Sequence, residues 1–294
     1  MFAVGLTGDV GAGKSTISRI WRDMGANVIN SDEAAKRQWE RPDVIRLAVD
    51  RWGPDIIRDG APDYRRIAER AFSSREDNDF TNSIIHPRAK AEISRLVSAA
   101  RGLIVVEIPL LFESGGLSFA DWIVYVTAHE EARIARSSAR GWDREEIARR
   151  ERFLMDSDEK AGMSDMVLRN DDSLSSWEDR ARDVGTMLLA VSSVYEISTS
   201  CGSMEDAEKI ASSLVHDRLA ACVNIGEERS VYRWKEEIHR DREWSLACKT
   251  TEANVRPAIR CIRANHTYEL PAITAKETSH SDFDTLKWIV ESCR

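Results

Sequence analysis

The first 200 residues contain no cysteine. The five in the chain are Cys201, Cys222, Cys248, Cys261 and Cys293. Their number is odd and no two have C-x-x-C spacing, which argues against a disulfide framework or a structural zinc site. Their confinement to the last third suggests two differently composed modules joined end to end. No stretch approaches the ~18 apolar residues of a membrane span. Positions 1–6 lack the basic segment of a secretory leader and run straight into a motif, so a cytoplasmic location is expected. Positive charge is in deficit, with 42 Lys and Arg against 50 Asp and Glu for a net −8. That argues against a nucleic-acid or anionic-membrane surface over the whole molecule, while leaving room for a local basic pocket for phosphates. There is no Pro/Gly/Ser spacer, long repeat or low-complexity tract.

What is there suits a globular protein. The chain has 294 residues, 42% hydrophobic and 31% charged, and this length favours two domains. Short apolar runs at 3–6, 28–29, 103–106, 123–126 and 166–168 alternate with helical patterns. Such strands predict an α/β fold with a parallel sheet covered on both faces. A helix from about residue 14 should end before Gly25, and one over 176–189 should close this part. Beyond residue 190 the pattern changes. Strands are predicted at 194–198, 222–225, 231–235, 244–248 and 272–276, with helices at 204–219, 252–264 and 283–291. That order suggests an α+β ferredoxin-like sandwich with an added C-terminal helix. The expected domains are residues 1–190 and 194–294.

The strongest motif is Gly8-Asp9-Val10-Gly11-Ala12-Gly13-Lys14-Ser15, followed by Thr16. It matches the P-loop pattern G-x-x-x-x-G-K-[ST] and lies between a strand and a helix. The glycines let backbone N–H groups at Gly8, Gly11, Ala12 and Gly13 curl toward phosphate oxygens, and the helix N-terminus adds partial positive charge. Lys14 can neutralise β- and γ-phosphates, and the Ser15 hydroxyl can ligate Mg²⁺. The loop implies ATP or another nucleoside triphosphate without naming the acceptor.

Around it stand further candidates. Asp32 follows the second strand, where it could take a proton from an attacking hydroxyl, hold Mg²⁺ through water, or cap the next helix. Glu107 ends the third strand, at the place of a Mg²⁺-binding acid or of an ordinary surface Glu. Arg133, Arg136 and Arg140 share one helix face, followed by Arg144, Arg149, Arg150 and Arg152. An arginine-bearing helical pair could close over ATP as a lid. Pairing with Glu145, Glu146 and Glu151 in a solvated run is the other reading, with one or two arginines functional.

These residues resemble the dephospho-coenzyme A kinase family over about residues 1–190. The match is carried by 5–8 with the P-loop, 28–32, Trp52 to Ile57 before Asp59-Gly60, His86-Pro87, Ile108-Pro109-Leu110-Leu111-Phe112-Glu113, Arg136 with Arg140, and 165–170. The resemblance implies a P-loop kinase fold with a helical lid, and transfer of the ATP γ-phosphoryl group to the ribose 3′-hydroxyl of dephospho-coenzyme A. It makes Asp32 the acceptor-activating carboxylate and Lys14 and Arg140 the phosphate-stabilising cations. Thr7, Asp32, His86 and Arg136 would meet the acceptor, and Ser15 and Glu107 the Mg²⁺. Five features depart from the family pattern. Asp9 replaces Gly, putting an acid beside a phosphate site. Asn30 replaces Asp, Glu107 replaces Asp, Tyr64 stands where Arg is frequent, and no Gln occurs between Arg150 and Lys160.

From about residue 194 the chain resembles the CutA family of divalent-ion-tolerance proteins. The carrying segments are 218–224, 230–235, 246–251, His266-Thr267-Tyr268-Glu269-Leu270-Pro271-Ala272-Ile273, and 287–289. Thr267 replaces the usual Pro and Ala272 a usual Glu. The resemblance implies a ferredoxin-like sandwich that forms homotrimers through extended strands. It also implies a divalent-metal role to which Cys222 and His266 correspond. Three readings stand open: a dephospho-coenzyme A kinase on a trimerising module, a kinase for another nucleotide acceptor, and a CutA-type scaffold whose kinase half senses nucleotide.

Overall fold

The structure is a computed structural model that describes residues 1–113, 119–138, 141–151, 154–278 and 281–293, the side chain of Arg150 excepted. It divides into two compact units, Ala3–Arg182, and Asp183–Arg294 with Met1–Phe2.

The first unit is built on β1 (Phe2–Gly8), α1 (Lys14–Asp23), β2 (Asn27–Asn30), α2 (Ser31–Gln38), α3 (Pro42–Trp52), the short hairpin β3 (Ile57–Arg58) and β4 (Ala61–Pro62), α4 (Tyr64–Ala71), α5 (Arg75–Ala99), β5 (Leu103–Glu107), β6 (Trp122–Thr127), α6 (Glu130–Ser138), α7 (Arg144–Glu151), α8 (Ser157–Gly162), β7 (Met166–Arg169) and the first half of α9 (Leu174–Val191), which runs on into the second unit from Asp183, as Phe2 of β1 also belongs to that unit. Five strands form a parallel sheet in the order β2-β5-β1-β6-β7. Every residue of β1 is buried, as expected of a central strand covered on both faces. Because the strands are parallel, their carboxyl ends share one edge. Gly8 lies opposite Val126 and Asn30 opposite Glu107. Chain order reverses beside β1, and ligands of doubly wound sheets bind at such a point.

Helix α1 turns Ile17, Ser18, Ile20 and Trp21 inward and ends where Gly25 takes φ 109°. The expected strands and first helix are present. Between β2 and β5 the sequence pointed only to a helix following Asp32, present as α2, yet the structure adds α3 to α5 in the interval. Helix α5 runs through Pro87, a residue that ordinarily signals a helix end. It buries Ile84, Ile85, Ala89, Ile93 and Val97.

The second unit follows as β8 (Val194–Cys201), α10 (Met204–His216), β9 (Cys222–Trp234), β10 (Glu237–Thr251), α11 (Glu252–Asn265), β11 (Thr274–Glu277) and α12 (Phe283–Ser292). Its antiparallel sheet has the order β11-β8-β10-β9, the ferredoxin-like arrangement expected. Ala207, Ile210, Leu214, Ala258 and Ile262 of the two long helices pack on Ile197, Leu246 and Cys248 of the sheet. One expectation is corrected: 222–225 and 231–235 are a single 13-residue strand, β9, paired along its length with β10. The connecting turn, Lys235-Glu236, has φ 47° and 70°. Left-handed residues suit a tight hairpin, but neither is the Asn, Asp or Gly that announces one.

Candidate active site

The phosphate loop joins β1 to α1 at the reversal point. Gly8 has φ 146°, and a Cβ there would lie 2.0 Å from the Val126 carbonyl oxygen. Gly13 has φ 108°, and a Cβ there would meet Asn170 Nδ2 at 2.5 Å. Glycine is thus required both for the left-handed backbone and for the close approach of neighbours. Lys14 Nζ donates to the carbonyls of Gly8 and Asp9, both at 2.8 Å. The ammonium is thereby folded across its own loop. Burial pushes its pKa down to about 8, against the opposing charges of Glu107 and Asp9. Ala12 is buried and its carbonyl accepts from Asn170 Nδ2 at 2.8 Å. Ser15 is exposed and Thr16 half-buried at the start of α1.

The acids sit on neighbouring strand ends. At the start of α2 the cap is Asn30, whose Oδ1 accepts from Asp32 N at 2.9 Å and Glu33 N at 3.1 Å. The capping alternative for Asp32 is therefore corrected. Asn30 meets the two backbone donors, and Asp32 is in the first turn with its carboxylate not engaged as the cap. Burial raises its pKa, with Lys14 acting in the opposite sense. A cavity of about 400 Å³ opens beside it, lined by Ser31, Asp32, His86, Lys90, Ile108 and Phe119 among others. Asp32 and His86 are thus brought together. Thr7 is buried behind this wall, its Oγ1 donating to Pro109 O at 3.3 Å. Glu107 Oε2 accepts from Ser18 Oγ at 2.7 Å, which ties the end of β5 to α1 one turn beyond the loop.

Cations reach the loop from α6. Arg136 Nη2 donates to Asn170 O at 2.8 Å and Oδ1 at 3.1 Å, so Asn170 links the arginine to Ala12. Arg133 pairs with Glu151. Arg140 and Arg152 lie outside the described residues. The expectation that Asp9 sets an acid beside the phosphates is corrected. Its side chain is 5% exposed and turns inward, accepting from Tyr125 Oη at 2.5 Å, Thr127 Oγ1 at 2.6 Å and Ser157 Oγ at 2.8 Å. Sequence reading missed Ser18, Tyr125, Thr127, Ser157 and the role of Asn170. Each acts from another strand end or helix, and only the Arg-Asn pair at 169–170 offered a signal.

In the second unit Cys222 opens β9, with Lys249 Nζ 3.9 Å from its sulfur. His266 follows α11. Its Nε2 donates to Ser200 O at 3.0 Å, and its Nδ1 accepts from Tyr268 N at 3.1 Å. The sulfur near it is that of Cys201, at 3.7 Å. A metal on His266 would have to displace one of these two bonds. Among the described residues no group of three or more His, Cys, Asp or Glu side chains is placed to hold a metal ion. A cavity of this unit, about 620 Å³, is lined by Tyr232, Trp234, Glu243, Tyr268 and Leu270 among others.

Comparison with known proteins agrees with this division. The family model for dephospho-CoA kinase matches residues 2–176, and that for CutA1 divalent ion tolerance protein matches residues 195–292. A dephospho-CoA kinase from Deinococcus radiodurans is 37% identical over 180 residues, covering 60% of this chain and 86% of the relative. The solved structure of TT1252 from Thermus thermophilus superposes with a TM-score of 0.54 at 32% identity, covering 64% of this chain and 97% of that one. The CutA structure from Xylella fastidiosa is 36% identical and covers 35% of this chain and 100% of that one, with a TM-score of 0.34. A family model thus spans more than half of this sequence, and the chain belongs to the dephospho-CoA kinase family, with a CutA1 domain joined behind the kinase part.

Proposed function

We propose that the first unit transfers the γ-phosphoryl group of ATP to the ribose 3′-hydroxyl of dephospho-coenzyme A, giving coenzyme A and ADP. The observation that carries this reading is the placing of Asp32. Its carboxylate is not the helix cap, it lines a cavity of about 400 Å³, and it is close enough to Lys14 for the ammonium to favour its ionised form. The triphosphate lies in the loop with its γ-phosphorus toward this wall. The 3′-hydroxyl oxygen attacks that phosphorus, the bond to the β,γ-bridging oxygen breaks, and ADP leaves. The hydroxyl proton passes to Asp32, whose burial-raised pKa suits a proton acceptor. Lys14 takes up charge on the transferring group, Arg140 reinforces it, and Arg136 meets the acceptor.

Mg²⁺ fits the oxygen donors here. The exposed hydroxyl of Ser15 and the carboxylate of Glu107, steadied by Ser18, would hold it. It would supply charge neutralisation on the β- and γ-phosphates. The acceptor enters between α2 and α5, where His86 stands on the cavity wall.

The second unit serves as a homotrimerising module in this reading. Its long β9–β10 hairpin exposes Val231 and Ile238, 60% and 62% accessible, and β9 is a sheet edge. An open edge with apolar residues calls for a partner. The whole protein is assigned to the cytoplasm, consistent with the substrates it uses; no described helix is long and apolar enough to cross a membrane.

An ATP-dependent assay with dephospho-coenzyme A tests this function. Asp32→Asn should lower kcat by about 10² or more with little change in KM for ATP, and Lys14→Ala should lower kcat/KM by a similar factor. Phosphorylation of a nucleoside monophosphate in place of dephospho-coenzyme A would refute the acceptor. ATP binding with no transfer to any acceptor would leave a nucleotide-sensing scaffold.

A further inference from the structure

We infer that Arg133 is a further nucleotide-binding residue, and that Glu151 holds the place of a phosphate oxygen beside it until ATP arrives. The inference rests on the kinase reading above and extends it to two residues of α6 and α7. Val10 N, inside the phosphate loop, donates to Glu151 Oε1 at 3.2 Å. Arg133 Nη1 pairs with that same oxygen and reaches Val10 O at 3.4 Å. One carboxylate oxygen therefore collects a loop amide and a guanidinium. Those are the donors that a phosphate oxygen collects at such loops.

Two further observations favour an anion site over an ordinary ion pair. First, donors outnumber acceptors. Arg133 Nε, Arg136 Nη1 and Ser137 Oγ are buried with no hydrogen-bond partner among the described residues. A phosphate group brings more acceptor atoms than a carboxylate, so it answers this surplus better. Second, the guanidinium is already in position. The Arg133 side chain is 12% exposed, and its helix is seated on the loop so closely that a Cβ on Gly11 would come 2.8 Å from Arg133 O and 2.6 Å from Ser137 Oγ. The incoming triphosphate replaces the Glu151 carboxylate, and Arg133 passes from one anion to the other without leaving the loop.

Calorimetric titration of the full chain with ATP, and separately ADP, tests this without any acceptor. Glu151→Ala and the isosteric Glu151→Gln should tighten ATP about three- to tenfold, because a competing anion is removed. Arg133→Gln should weaken it about tenfold, and Arg133→Lys should recover part of that loss. The double variant Arg133→Gln/Glu151→Gln should bind no better than Arg133→Gln alone. Weaker ATP binding in both Glu151 variants would overturn the inference, since the pair would then only brace the loop; so would an unchanged affinity in Arg133→Gln. If the titrations behave as expected while dephospho-coenzyme A is not phosphorylated, the acceptor assignment fails and this inference stands. Normal turnover with unmoved affinities removes the inference alone.

Discussion

A carboxylate at position 9 would repel a triphosphate if it faced the loop, and its neighbours explain why it does not. Three hydroxyl donors lie on the inner side, and the phosphate-facing side of the loop is left to backbone N–H groups. The phenol of Tyr125 is pushed well above its ordinary pKa by burial and by its bond to Asp9, so it stays a donor. Asp9→Asn puts an NH₂ group among donors and should lower unfolding free energy by about 1–3 kcal/mol, read as a shift of the urea midpoint at unchanged slope. An unmoved midpoint would mean the three contacts contribute nothing net. Lys14 gives a pH prediction. In the free protein its pKa lies near 8, so it is about half deprotonated there. A bound polyphosphate favours the ammonium and raises that pKa. ATP binding near pH 8–9 should therefore take up a proton, and affinity should fall as pH rises through 8. Calorimetry in buffers of different ionisation enthalpy measures the uptake; Lys14→Ala should abolish it.

At the scale of elements, α8 fastens the site. Ser157 at its start holds Asp9, and Lys160 near its end holds Glu113 at 2.9 Å. Lys160 is only 3% exposed, so its charge depends on that partner. Burial works against ionised Glu113, yet bonds from Lys160 and Met155 N leave its pKa below the ordinary value. A depressed acid stabilises the fold above its unfolded pKa and loses that contribution as pH falls through the folded one. Lys160→Met should destabilise by about 2 kcal/mol near neutral pH, and adding Glu113→Gln should recover part of it. Chemical denaturation at pH 7 and pH 4 follows both effects; a single variant as stable as the parent would show that the pair is dispensable.

At the scale of the molecule, the two units differ in what they leave unfinished. The first closes its site within its own sheet edge. The second presents β9 as an edge strand, with Val231 and Ile238 exposed on its hairpin with β10 and Leu270 exposed beyond α11. If it associates through that hairpin, the trimer stabilises the kinase by mass action. Deleting residues 194–294 should give a monomer in sedimentation and lower the thermal midpoint by several degrees, with phosphoryl transfer retained. A truncated chain that keeps its oligomeric state and midpoint would remove the trimer proposal.

Local sequence was enough where chemistry and local conformation coincide. The loop at 8–15, the buried strands and the alternating second half announce a parallel α/β unit and an antiparallel α+β unit, because period and glycine spacing are properties of short segments. The interval 42–99 was not legible, since Pro87 imitates a helix end while packing keeps α5 continuous. The hairpin at Lys235-Glu236 was hidden too, because the β9–β10 ladder imposes its backbone without turn-forming residues. Asn30 as cap is a local matter, its partners being two and three residues on, whereas the inward turn of Asp9 and Glu151 against Val10 were decided only by the tertiary structure. Both depend on which side chains the sheet order and helix packing bring within hydrogen-bond reach, and those partners lie as far as 148 residues away in sequence.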